Sequence, residues 1–248
     1  MRGGIITSHV ALALLCVAGT VFAQAAPPPP PKIWTVTASA GLALTSGNSN
    51  TSTLNLAYDL TYDPQTKNVV KSDGLYLRAV NEGELSVRRT GLNIRDEYKL
   101  TDRIFVFGQN QYLRDEFKNI DYLLAPTGGV GYKIIDTDTT KFGVDGSVGV
   151  VWEKNPGVDV NTSGALVTGE KLTHALTDNT TLSQTFMGLW KTADLEDALF
   201  TFGVSIAASM STRTQLKVEA LDTFKNKPPL PTIKANDVAV LVSIVYKM

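Results

Sequence analysis

Apolar and polar positions alternate along almost the whole chain from Trp34 onward. Trp34, Val36, Ala38, Ala40, Leu42 and Leu44 occupy one phase, and Thr35, Thr37, Ser39, Gly41, Ala43 and Thr45 the other. Phe142, Val144, Val148, Val150 and Trp152 likewise oppose Lys141, Asp145, Ser147 and Glu153. A period of two is the signature of a strand, whose successive side chains leave on opposite faces. Twelve tracts follow it: about 33–46, 51–62, 70–80, 84–100, 104–117, 121–135, 140–153, 162–176, 180–190, 198–210, 214–225 and 237–248. Most are long for a soluble sheet, where strands centre on about five or six residues. A strand that crosses a bilayer needs roughly 9–11 residues. In hydrocarbon every backbone group must be paired, so such strands must close into a barrel. The expected fold is therefore all-β: an antiparallel transmembrane β-barrel of about 12 strands, apolar face outward and polar face inward.

The connections fit an antiparallel barrel with both termini at one end. Counted from the N-terminus, the even connections fall near 63–69, 101–103, 136–139, 177–179 and 211–213. All but the first are tight clusters of Thr, Asp, Asn or Ser, and they read as periplasmic turns. The odd connections include longer segments at 154–161, 191–198 and 225–237, which read as outward-facing loops, although 47–50 and 81–83 are short. Pro126, within PTGGVG at 126–131, removes a ladder hydrogen bond and predicts a bulge or bend. Trp34, Tyr62, Tyr98, Tyr112, Trp152, Trp190 and Tyr246 sit mostly near strand ends, where interfacial girdles lie. The chain finishes on an apolar alternating strand, Val238 to Met248, which reads as the closing strand. It is also a candidate assembly signal, with Met248 where a terminal aromatic is usual.

The N-terminal residues have a different pattern. Arg2, the apolar run VALALLCVAGTVFA and AQA at 23–25 predict a signal peptide over 1–25, with Ala23 as the other cleavage candidate. The prolines that follow make 26–32 a stiff spacer, leaving 33–248 as the barrel. The one cysteine, Cys16, follows Leu15 inside the apolar run and belongs to the signal. No disulfide framework or cysteine-based metal cluster is therefore available. With 23 Lys and Arg against 24 Asp and Glu, no basic surface for nucleic acid is advertised.

The stretch WTVTASAGLALTSGNSNTSTLNLAYDLTY resembles the opening of the DUF481 family, often labelled salt-induced outer membrane protein or YdiY-like. The pattern starting at Gly41 and running through Gly47, Asn48, Ser49 and Asn50 carries the likeness, together with YLRDEF at 112–117 and GGVGYKI at 128–134. The resemblance implies an outer-membrane β-barrel of Gram-negative bacteria with no assigned activity. It supplies no catalytic residues.

Three readings of the chemistry follow. The first is a non-enzymatic barrel, structural or envelope-stress related, or a narrow small-solute pore. Its partners would be outer-membrane lipids, the outer-membrane assembly machinery and small solutes or ions, with no cofactor. Arg89, Arg95, Glu97, Lys99 and Arg114 form its candidate inward charge network, able to stabilise the lumen or to line a selective path. The second reading is an outer-membrane lipid hydrolase built on His174, the one histidine beyond the signal. Ser183 and the other serines lack a nucleophile motif. The third is a soluble periplasmic ligand-binding barrel with an apolar interior. Asp194, Glu196 and Asp197 are read as a solvated outer loop, without the spacing of a calcium site.

Overall fold

The computed structural model describes residues 32–45, 51–81, 83–116 and 118–248. The signal peptide at 1–25, all but the last residue of the spacer at 26–32 and the SGNSN segment lie outside them. Twelve strands follow one another: β1 (Trp34–Thr45), β2 (Thr51–Tyr62), β3 (Asn68–Asn81), β4 (Glu84–Lys99), β5 (Ile104–Asp115), β6 (Ile120–Asp136), β7 (Thr140–Lys154), β8 (Asn161–Thr177), β9 (Thr180–Lys191), β10 (Asp194–Ser209), β11 (Thr214–Lys225) and β12 (Asn236–Lys247). Each pairs antiparallel with its sequence neighbours, and β1 also pairs with β12, so the sheet closes on itself. Closure joins the two edge strands, although the β1–β12 ladder pairs only four residues of each.

The closing seam is the shortest ladder. It pairs Thr37 with Lys247 through Ala40 with Ile244, whereas the β1–β2 ladder runs from Trp34–Tyr62 to Thr45–Thr51. Gly41, the next residue beyond the seam, has no room for a side chain. A Cβ there would lie 2.0 Å from the Val242 carbonyl oxygen and 2.1 Å from Asn55 Oδ1. This close approach gives a steric reason for the first glycine of the DUF481-like opening.

The two phases separate as the alternation demands. On β12 the outward Val238, Val240 and Val242 are 65%, 68% and 55% exposed, whereas inward Leu241 and Ser243 are buried. Twelve residues of strand extend about 40 Å, which a tilt near 40° converts to about 30 Å along the barrel axis, the thickness of a bilayer core. Aromatic side chains mark both limits. Trp34 and Tyr62 meet at 4.4 Å between ring centroids at the end that carries the termini, while Trp190 stands edge-on to Phe200 at 5.2 Å near the other end. Such a bare apolar exterior contradicts the soluble-barrel reading, which needs its apolar face inside.

Two local expectations change. Pro126 interrupts the β6–β7 ladder, in which Ala125 and Pro126 are unpaired, but it causes no register shift: Leu124 faces Trp152 before it and Thr127 faces Gly149 after it. The irregularity on this ladder falls later, between Lys133 and Ile135. The loop expected over 191–198 is a tight connection instead, because β10 begins at Asp194 and absorbs the extra residues as an irregularity between Asp194 and Ala198.

Replacing Gly41 with Ala is expected to lower barrel stability by about 1–3 kcal/mol through overpacking at the seam. Gly108→Ala, where a Cβ meets nothing within 4 Å, should change it by less than about 0.5 kcal/mol. Urea midpoints followed by heat-modified gel mobility check both, and equal midpoints would contradict the seam constraint.

Candidate functional site: the barrel lumen

Inward side chains divide the lumen into layers. At the end away from the termini, β7, β9 and β11 each finish with an inward charged residue at or beside their last position: Glu153, Lys191 and Lys225. Lys225 Nζ lies 3.0 and 3.1 Å from the two Glu153 oxygens and 3.2 Å from Asp197 Oδ1. Lys191 Nζ lies 2.9 Å from Glu153 Oε2 and 2.5 Å from Asp197 Oδ2. Two ammonium groups and two carboxylates thus form a neutral quartet that spans the lumen from β7 to β11. Mutual pairing is what makes burying these charges tolerable, since each alone would lose its hydration uncompensated.

The same end carries a strap. Lys118, in the β5–β6 connection, is fully buried and donates to the carbonyls of Lys234 and Ala235 at 2.9 and 2.7 Å. It also pairs with Asp237 at 2.8 Å. Lys227 bridges Asp194 and Glu196 at 2.6 and 2.8 Å. Hydrogen bonds to these carboxylates hold the Lys227 ammonium above the ordinary lysine pKa. The connection between β11 and β12 is thereby tied to β10 and to the β5–β6 connection.

One step deeper, two residues along each strand, the lumen is apolar. Val151, Leu189 and Leu199 lie two positions from Glu153, Lys191 and Asp197, and they cluster with Leu113, Leu123, Ala125 and Val167. Direct links cross the barrel beside this layer. Arg89 on β4 donates to the Thr223 hydroxyl on β11, and Gln111 on β5 contacts Met187 Sδ on β9 at 2.7 Å. Side chains therefore narrow this part of the lumen to a cavity of about 180 Å³, lined by Arg89, Gln111, Leu113, Leu123, Met187 and Leu189.

Toward the termini the interior opens into a polar cavity of about 470 Å³. Arg95 organises it: Nε lies 2.9 Å from Glu97 Oε1, one terminal nitrogen 3.0 Å from Asp145 Oδ2, and the other donates to Gln109 Oε1 at 3.1 Å. Its guanidinium carbon sits 3.5 Å from the Phe107 ring centroid, so the cation is stacked as well as paired. Glu97 also accepts from Lys71 at 2.7 Å, and Lys99 pairs with Asp63 at 3.0 Å near the rim. Lys171 lines the cavity without a carboxylate in ion-pair range among the described residues, and Asp73 is held only by Asn93 at 3.2 Å.

Of the residues singled out in the sequence, Arg89, Arg95, Glu97 and Lys99 share the inward phase of β4, and Arg95 and Glu97 pair directly. Arg114 does not join them. It projects from the outward phase of β5, one residue from buried Leu113 and Asp115, and bonds Glu116 at 3.2 Å. Asp194, Glu196 and Asp197 are not a free acidic loop, because all three are ion-paired. His174 meets Thr140 Oγ1 at 2.8 Å on the outward face, whereas Ser183 opposes Thr173 on the inward one, so the two form no catalytic pair. Among the described residues no group of three or more His, Cys, Asp or Glu side chains could hold a metal. The sequence reading missed Lys71, Asp145, Lys118, Lys191, Lys225 and the apolar layer.

A closed antiparallel sheet with an apolar exterior, aromatic limits and a charged, layered interior defines a β-barrel of the outer-membrane class. The chain belongs to the family described as "Protein of unknown function, DUF481", whose model matches residues 38–248. No curated protein matches it by sequence. Among solved structures it is similar in fold to the NanC porin, at 9% identity over 87% of this chain and 100% of that one, with a TM-score of 0.51. The translocator domain of the autotransporter NalP from Neisseria meningitidis is similar at 10% identity over 89% and 90% of the two chains, with a TM-score of 0.50.

Glu153→Gln leaves Lys191 and Lys225 sharing Asp197 alone, and is expected to cost about 3–5 kcal/mol. Lys227→Ala, at the surface, should leave the urea midpoint nearly unchanged. Arg95→Ala removes the Asp145 ion pair and leaves Glu97 with Lys71, and should cost about 1–3 kcal/mol. Equal midpoints for all three variants would contradict the layering.

Proposed function

We propose that the protein is an outer-membrane barrel acting as a narrow, normally closed pore for small charged solutes or ions. The observation that carries this reading is the sequence of layers: a polar cavity at the end bearing the termini, then an apolar layer, then an ion-paired strap. A small charged solute can enter the cavity, where charged groups replace its hydration. Passage then requires the apolar layer and the Glu153 quartet to part. Strand number supports a narrow bore, since eight strands leave space that side chains can fill and sixteen leave an aqueous channel. Likeness to the NanC porin supports the pore reading at the level of fold.

Residues 1–25 would direct export and be removed, and the short turns beside the termini would face the periplasm. The cavity would then open inward and the strap outward. Outer-membrane lipids would contact the apolar band, and the outer-membrane assembly machinery would insert the barrel.

Planar-bilayer recordings test the proposal. The refolded mature chain is expected to give rare, small steps. The double variant Leu123→Ser, Leu189→Ser should raise mean conductance at least several-fold while keeping heat-modified mobility. A folded double variant as silent as the parent would sink the pore and leave a structural role. Wide, continuously open steps from the parent would contradict the closed lumen.

A further inference from the structure

The outward face is apolar along β12 and β1, where Val240, Val242 and Ile244 face outward, while Asp96 on β4, Asn110 on β5 and Asp222 on β11 are outward polar positions. The β8–β9 sector carries two outward polar side chains side by side. Glu170 and Gln184 project outward there, and Gln184 Nε2 donates to Glu170 Oε1 at 2.9 Å. The register puts Glu170 between Val144 and Phe186, and Gln184 between Leu172 and Val204. Glu170 lies four residues along β8 from Leu166, which faces the belt residue Trp190. That places it roughly 10 Å below the belt, inside the span where a lone carboxyl is disfavoured by hydrocarbon.

The intrachain bond uses only part of the pair's capacity. Glu170 Oε2, Gln184 Oε1 and the second amide N–H have no hydrogen-bond partner among the described residues. The surface beside the pair is also low. Thr168 stands on the same face next to Gly146, and a Cβ on Gly146 would meet nothing within 4 Å. Gly108 and Gly128, paired with each other, form a second low patch across β5 and β6, with outward Val130 and Val148 beside it.

We propose that this sector is an interface with a second copy of the chain, packed about a twofold axis near Glu170 and Gln184. The pair is self-complementary: each copy offers an unused carboxylate oxygen and an unused amide N–H, and a twofold places one against the other. Small residues let the two backbones approach, so that polar side chains bond across the contact instead of facing lipid. The carboxyl is then surrounded by protein.

Cysteine cross-linking in liposomes at low protein-to-lipid ratio tests this, since Cys16 is the chain's one cysteine and is absent from the mature chain used. Thr168→Cys should give a covalent dimer on oxidation or with a short bismaleimide, at least fivefold more than Val242→Cys four strands away on β12. Adding Glu170→Leu should cut that dimer at least fivefold while preserving heat-modified mobility, because leucine suits a lipid-facing position. Thr168→Cys cross-linking no better than Val242→Cys would overturn the proposal. So would dimer yields unchanged by Glu170→Leu, which would make Glu170 a tolerated, lipid-facing carboxyl on a monomer.

Discussion

The obligation to pair every backbone group in hydrocarbon sets the terms for the rest of this structure. Twelve amphipathic strands cannot stop at an edge, so β1 must meet β12. That seam is short, and it depends on Gly41 letting the Val242 carbonyl approach. Closure also fixes which phase of each strand faces in, because a slip of one residue would exchange the two faces. The inward positions of Glu153, Lys191 and Lys225 are thus consequences of register as much as of local sequence.

Closure creates a second problem, an interior too wide to leave empty and too narrow for a broad channel. Long side chains solve it. Arg89 reaches Thr223 across the barrel, Lys225 reaches Glu153, and Arg95 reaches Asp145. Charge and burial are matched layer by layer: the quartet is neutral where its ions are buried, while Lys171 and Asp73, without ion-pair partners among the described residues, face the roomier cavity. The apolar layer between them is the feature with the clearest functional meaning, since it offers a hydrated ion nothing in exchange for its water.

Much of the fold was legible because strand periodicity and turn chemistry agreed. The turns near 101–103, 136–139, 177–179 and 211–213 stand where the structure turns. The inward phase of β4 was legible too, and with it Arg89, Arg95, Glu97 and Lys99. Arg114 was misplaced by one residue: alternation through Gln109, Gln111 and Leu113 puts it outside. The start of β10 was hidden because Asp194, Glu196 and Asp197 look like loop residues until their partners, Lys191, Lys225 and Lys227, are brought beside them. Such pairings across strands leave no local trace. The apolar layer did leave one. Leu123-Leu124-Ala125, Val150-Val151-Trp152 and Ala198-Leu199-Phe200 are apolar on both phases, as strands buried on both faces are.

The central claim is that the lumen is watered from the end bearing the termini and dry at the apolar layer. Thiol accessibility along the inward face of β8 tests it most directly. With the barrel in liposomes, Thr173→Cys and Val167→Cys should differ at least a hundredfold in their rate of reaction with a small water-soluble thiol reagent. Residue 173 lines the cavity and residue 167 lies within the apolar cluster. Comparable rates at both positions would mean continuous water past Val167 and would contradict the account.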